Sequence, residues 1–343
     1  MENDVAGARD RANRARYRPG QPGGFYESFF QRANHPTRPL ALWIRYTLFS
    51  PEGRPDAALG DLWAIVFDGE TGRHVVAKEE LPIARCAFDR EGFSVAVGDA
   101  RLSRGRLAGA AGAGEDAVAW DLSFEGDEPP LFLLSPALYE APLPRAKSLV
   151  GAPMAVYRGA IRAGGREIAV DGWVGSQNHN WGTRHTDHYA WGQVAGFDDH
   201  PGSFLEVASA RLRVGSLWTP LLTPLVLRHR GEEIALRSLA QSARAAASFR
   251  CFDWRFRSAN AGVEVEGRIS ARPEDVVGLR YANPPGGEKH CLNTKLARCE
   301  LTLRRKRFGR VIGVETLVTA HRAAFEILTD DHDARPHGVP IRA

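Results

Sequence analysis

Val118-Ala119-Trp120-Asp121-Leu122-Ser123-Phe124 alternates bulky apolar residues with small or polar ones. That period of two places one set on each face of an extended strand. Ala297 to Leu303 and Val263 to Ile269 repeat the pattern. Leu40 to Phe49 and Leu62 to Phe67 are apolar on both faces, as expected of strands covered on both sides. Turn chemistry separates the runs: Pro51-Glu52-Gly53, Asp68-Gly69, Ala163-Gly164-Gly165 and Pro284-Pro285-Gly286-Gly287. Many strands with few helical signals imply barrels or sandwiches. Ala235 to Ala247 reads as one short helix, and the Gly- and Ala-rich stretch Gly105 to Gly114 as a mobile loop.

The chain has 343 residues, which favours two domains over one core. Hydrophobic residues make up 43% and charged residues 25%, the balance of a globular protein. No run of about 18 apolar residues is present, so no membrane-spanning helix is expected. The first 24 residues mix charges and lack an apolar signal core, so they read as a disordered tail. A proline-bearing segment, Pro136 to Pro153, breaks the pattern near mid-chain, and the domain change is placed between 150 and 190. The expected division is a tail at 1–24, a β domain at 25–170 and a second β domain at 171–335.

The net charge of +4 is small against 45 basic and 41 acidic residues. Arg304-Arg305-Lys306-Arg307 is the one basic run and reads as a solvated hairpin end, so nucleic acid is not an expected partner. Cys86, Cys251, Cys291 and Cys299 follow no CxxC spacing and read as reduced, mostly buried thiols of a cytoplasmic protein.

Residues 171–206, DGWVGSQNHNWGTRHTDHYAWGQVAGFDDHPGSFLE, differ from the rest. They hold His179, His185, His188 and His200 of the chain's 11 histidines, and Trp173, Trp181 and Trp191 of its 8 tryptophans. Aromatic walls with a few amide and imidazole groups, here Gln177, Asn178, Asn180 and Gln193, make the composition of a small-molecule pocket. If His188 to Phe197 is a strand, Tyr189, Trp191 and Gln193 share a face. If Ser203 to Arg213 is the next, Phe204, Glu206 and Ala208 share one. Glu206 then sits on an apolar face, where its pKa should rise into the range of a proton donor. An ion pair with Arg184 or Arg211 is the structural alternative. His179, His185 and His188, with Asp187 near, match neither an HExxH pattern nor a facial triad, so no metal and no cofactor are expected.

The run QNHNWG followed by HYAWGQ resembles the signature of the AttH and carotenoid 1,2-hydratase group, to which tocopherol cyclases, yeast survival-factor-like proteins and some fungal Diels–Alderases look related. Glu27 to Asn34, Arg38 to Leu48 and Tyr281 to Asn293 also fit, so the resemblance covers most of residues 25–330. It implies two packed lipocalin-like β-barrels with a hydrophobic ligand pocket beside HNWG. In the hydratases a His and a Trp of HNWG matter, matched here by His179 and Trp181. Their Tyr-x-Asp pair appears as Phe204-x-Glu206. The implied chemistry is cofactor-free: Glu206 protonates an alkene of an isoprenoid or other hydrophobic molecule, and His179 and Asn180 orient acid or water. Gln177, Tyr189, Trp191, Gln193 and Phe204 are the expected substrate contacts. Hydration, cyclisation and a non-catalytic carrier of a hydrophobic lipid all remain open. Peripheral membrane contact to collect substrate goes with each of them.

Overall fold

A computed structural model describes residues 2–328 and 338–342. The expected end of the second domain at 335 lies outside them. As the alternation predicts, the chain is mostly strand. Its first 12-stranded sheet begins with a meander: β1 (Phe25–Asn34), β2 (Leu40–Ser50), β3 (Leu59–Asp68) and β4 (Val75–Pro82). On the other side of β1 lies β6 (Arg166–Gly182), and beyond it β5 (Ala146–Ala163). The sheet continues through Val118–Glu125 and short strands back to Cys86–Phe88. It curls until β4 approaches Arg106–Ala111 and Val118–Glu125, which nearly closes a barrel. Phe29, Leu42, Tyr46, Trp120, Tyr157 and Trp173 fill it.

The second, 10-stranded sheet centres on β7 (His188–Ala195), paired on one side with β8 (Phe204–Arg211) and on the other with β10 (Arg310–Leu328). β9 (Glu288–Arg307) and β10 form one long hairpin. Its core holds Trp254, Phe256, Leu205, Leu301 and Phe325. A third apolar cluster joins the sheets: Phe30, Trp43 and Trp63 from the first meet Trp191, Leu279 and Tyr281 from the second. Truncating one of these tryptophans would cost about 3–5 kcal/mol.

Three expectations fail here. The N-terminal residues are not a free tail. α1 (Glu2–Asn13) and the segment after it lie on the first barrel, with Ala12, Asn13, Ala15 and Tyr17 buried. Arg9 donates to the carbonyls of Gly126 and Glu128. Gly105 to Gly114 is not a loop, because Arg106–Ala111 is a paired strand. A Cβ on Gly109 would fall 2.5 Å from Ala100 Cβ and 3.0 Å from the Trp120 ring, so the small residue there serves packing. The division at 170/171 falls inside β6, and the chain changes sheet between Gly182 and His188. HNWG therefore belongs to the first sheet. The helical expectation near residue 240 narrows to Leu239–Arg244, closed by a capping box of Ser238 and Gln241.

All four cysteines are free, with Cys291 and Cys299 buried and Cys86 and Cys251 half-buried. No helix of the described residues is long and apolar enough to cross a membrane. The β9–β10 hairpin ends in a tip with Phe308, Val311, Ile312 and Val314 exposed, Phe308 by 93%. The basic run lies at that end, as expected, with Arg304 and Arg305 paired to acids of neighbouring strands.

Candidate active site on two faces of one strand

β6 is the wall between the two halves. Its neighbour β1 is buried at every position, since one face looks into the barrel and the other toward the second sheet. The register pairs Phe29 with His179 and Gln31 with Gln177 on one face, and Phe30 with Asn178 and Arg32 with Ser176 on the other. Gly175 lets the strands close, because a Cβ there would lie 1.7 Å from the Arg32 carbonyl oxygen.

On the barrel face stand Gln177, His179 and Trp181. His179 is fully buried, stacked on Phe29 with ring centroids 4.2 Å apart and 4.7 Å from Trp181. Its Nδ1 lies 2.8 Å from the Ala12 carbonyl oxygen, and its Nε2 lies 2.8 Å from Glu27 Oε1. A carbonyl only accepts, so Nδ1 carries a hydrogen. The Nε2 contact then needs a second proton, held by the imidazole or by Glu27. The pair is thus a buried store of one proton. Glu27 also accepts from the backbone N–H groups of Arg16 and Tyr17. Below it the amides of Gln177 and Asn13 exchange hydrogen bonds of 2.7 and 2.8 Å. Gly151 leaves them room, since a Cβ there would meet Gln177 Oε1 at 2.1 Å.

On the junction face β7 and β8 bring Gln193 opposite Glu206. Glu206 is 2% exposed. Trp191 Nε1 donates to its Oε1 and Gln193 Nε2 to its Oε2, each at 2.8 Å. Gln193 Nε2 also donates to Asn178 Oδ1, while its Oε1 accepts from Ser176 Oγ at 2.6 Å and from Arg32 at 3.4 Å. Burial drives the Glu206 carboxyl up to about 7, outweighing the two N–H bonds and the Arg32 charge. Burial also pulls Arg32 down to about 10, against the opposing pull of Tyr157 and Glu206. Nearby, Lys295 pairs with Glu326 at 2.8 Å and sits 5.4 and 5.5 Å from the Trp43 and Trp191 ring centroids.

The sequence-predicted residues therefore divide. Glu206, Trp191 and Gln193 come together at the junction. Phe204 packs beside them with Leu131, Leu133 and Val150. Tyr189 packs against the Trp43–Trp63–Tyr281 cluster. Gln177, His179 and Trp181 lie behind the sheet from Glu206, because strand alternation sends 177, 179 and 181 one way and 178 and 180 the other. Asn180 ends with a buried Oδ1 that no described group satisfies. Glu206 pairs with neither expected arginine; Arg184 pairs with Asp187. The three histidines disperse: His185 stacks between Tyr26 and Tyr281, and His188 on Phe249. No three His, Cys, Asp or Glu side chains of the described residues group as metal ligands.

Glu27, Asn13, Arg32, Lys295 and Glu326 were not anticipated. Glu27 carried the same signal as Glu206, an acid in a strand of apolar neighbours. A cavity of about 820 Å³ opens over Trp181, walled by α1, Phe132, Tyr139 and Leu149. Its lining includes neither His179 nor Glu206, so the expected aromatic pocket of Trp181, Trp191 and Tyr189 does not form as one space.

No protein-family model matches the chain. An uncharacterized protein of Mycobacterium tuberculosis, present in strains H37Rv and CDC 1551, is 30% identical over 189 residues. The match takes in 54% of this chain and 56% of that protein, so the chain spans about half the length of the curated relatives it matches. Kievitone hydratase from Nectria haematococca superposes with a TM-score of 0.56 at 11% identity, over 91% of each chain. A candidate AttH from Nitrosomonas europaea gives 0.52 at 15% identity, over 90% of this chain and 92% of that one. The chain has the AttH-like fold. CghA shares it, with a TM-score of 0.52 at 12% identity over 90% of this chain and 88% of its own. Both barrels are thus lipocalin-like, as the QNHNWG run implies. At these identities the AttH-like fold is what is shared, and the chemistry has to be argued from the residues themselves.

Proposed function

We propose that the protein is a hydratase or cyclase acting by protonation on an alkene of a hydrophobic small molecule, with Glu206 as the proton donor. Glu206 carries the reading: a carboxyl buried among apolar neighbours, with a pKa of about 7, has both protonation states populated near neutrality. Its proton passes to an alkene carbon and a carbocation forms at the other. Water, or a hydroxyl of the same substrate, adds to the cation and returns a proton to the carboxylate. The N–H groups of Trp191 and Gln193 hold the carboxylate in the interval. One solved protein of this fold is by name a hydratase, which supports the class. Substrate would be collected at a membrane surface through the exposed β9–β10 tip.

A second reading, a binding protein for a hydrophobic lipid, is favoured by one observation: the cavity over Trp181 excludes both Glu206 and His179. Mass spectrometry of ligands extracted from the purified protein, followed by incubation with that ligand, separates the two. An enzyme yields a product heavier by one water, or an isomer of unchanged mass, and Glu206→Gln abolishes it while still binding the ligand. Wild-type turnover in Glu206→Gln would remove Glu206 from the role, and an unchanged ligand with wild-type protein would favour the carrier.

A further inference from the structure

The cavity over Trp181 has an uneven charge. Arg11, Arg16, Arg145 and Lys147 line it, against one acid, Glu140. Its deeper wall is apolar and buried, formed by Ala12, Phe25, Leu149 and Trp181, whereas Arg16 and Arg145 are exposed and Lys147 is half-buried. The bases therefore stand at the mouth and the apolar surface at the back.

Elsewhere on this protein exposed arginines are matched by acids: Arg38 by Glu70, Arg257 by Glu264, Arg268 by Asp253. At the cavity mouth the contacts differ. The Arg16 guanidinium lies over the Trp181 indole, 5.1 Å from its centroid. The Lys147 ammonium donates to the Ala141 carbonyl at 2.6 Å. Among the described residues no carboxylate forms an ion pair with Arg16, Arg145 or Lys147. Burial pulls Lys147 below the usual lysine range, an energetic burden that a bound anion would lift. Pro129, Pro130 and Pro142 stiffen the rim, so little ordering is needed on binding. The volume, about 820 Å³, suits a small molecule rather than a peptide.

We infer that this cavity binds an amphipathic organic anion, with the apolar body against Trp181, Phe25 and Leu149 and one carboxylate or phosphate head held by Arg16, Arg145 and Lys147. The inference is independent of the chemistry proposed for Glu206. It concerns binding at a different place and is read without turnover.

Calorimetric titration with tetradecanoate, tetradecyl phosphate and tetradecan-1-ol tests it on the full chain. The three share one tail and differ in the head. At low salt at least one anion should bind about ten-fold or more tightly than the alcohol, and salt should narrow the gap. The tighter of the two anions identifies the head group. Arg145→Gln combined with Lys147→Gln should remove most of that preference without lowering the melting temperature, because neither side chain holds core structure. Arg38→Gln, far from the mouth, should leave it intact. Equal binding of alcohol and anions, binding of none of the three, or a preference that survives the double substitution would each overturn the inference.

Discussion

Replacing Glu206 by Gln tests the electrostatics of the junction without any knowledge of substrate. The carboxyl titrates near 4.5 in an ordinary setting and about 7 in the fold. The folded state therefore holds the proton more tightly than the unfolded chain. The associated stability is full below pH 4.5 and is lost as pH rises to about 7. The size is about 3 kcal/mol, from roughly 1.4 kcal/mol for each tenfold change in proton affinity. His185 works in the opposite sense. Burial, reinforced by Arg45, lowers it from 6.5 to about 3, so it adds stability as pH rises through that interval and loses it on acidification. The two slopes oppose each other between pH 4.5 and 6.5 and mask one another in a single curve. The difference between wild type and Glu206→Gln isolates the carboxyl. The amide does not titrate, and its NH₂ facing a Trp191 or Gln193 donor adds a pH-independent penalty of about 1–3 kcal/mol. Urea unfolding followed by tryptophan fluorescence at a series of pH values should show the wild-type advantage shrinking by about 3 kcal/mol between pH 4.5 and 7. A difference that stays flat, or grows with pH, would mean that Glu206 is ionised throughout, and the proton-donor role would fall with it.

Trp191→Phe keeps a ring in the cluster but removes the N–H to Glu206, so the carboxyl should rise above 7 and the variant should be weakest at alkaline pH, measured by the same unfolding series. Asn13→Leu leaves the buried Gln177 amide without its partner and should cost about 1–3 kcal/mol. Limited proteolysis should then cut near α1 before the barrels, and an unchanged digestion pattern would show that the amide pair does not hold α1. Phe308→Ser with Ile312→Ser alters side chains 93% and 66% exposed, so the melting temperature should hold while co-sedimentation with anionic vesicles falls. Equal sedimentation of variant and wild type would argue against membrane contact at that tip.

Period-two alternation carried most of what was legible. It placed Tyr189, Trp191 and Gln193 on one face of a strand and set Glu206 among apolar neighbours, which is the physical source of its raised pKa. The same rule applied to Gln177, His179 and Trp181 separates them from Asn178 and Asn180; grouping all five with Glu206 ignored it. Other features left no periodic trace. α1 is polar, and what docks it is a set of specific hydrogen bonds from Arg9 and Asn13 to partners more than a hundred residues away. The lysine at the junction, Lys295, looks in sequence like any strand lysine. Only the pairing of β9 with β10 brings it to Glu326. The domain change was misplaced because β6 continues as one strand through the expected break.

Since β6 serves two compartments with alternate residues, point changes and length changes there have different reach. A substitution at His179 disturbs the barrel side, and one at Asn178 the junction side. Inserting or deleting one residue after Gly175 would slip the register and exchange both sets at once. Asn178 would then face Glu27, and His179 would be carried toward Gln193 and Glu206. Descendants of this chain can therefore diversify either compartment residue by residue, but the spacing of Gln177-Asn178-His179-Asn180-Trp181 is inherited as a block.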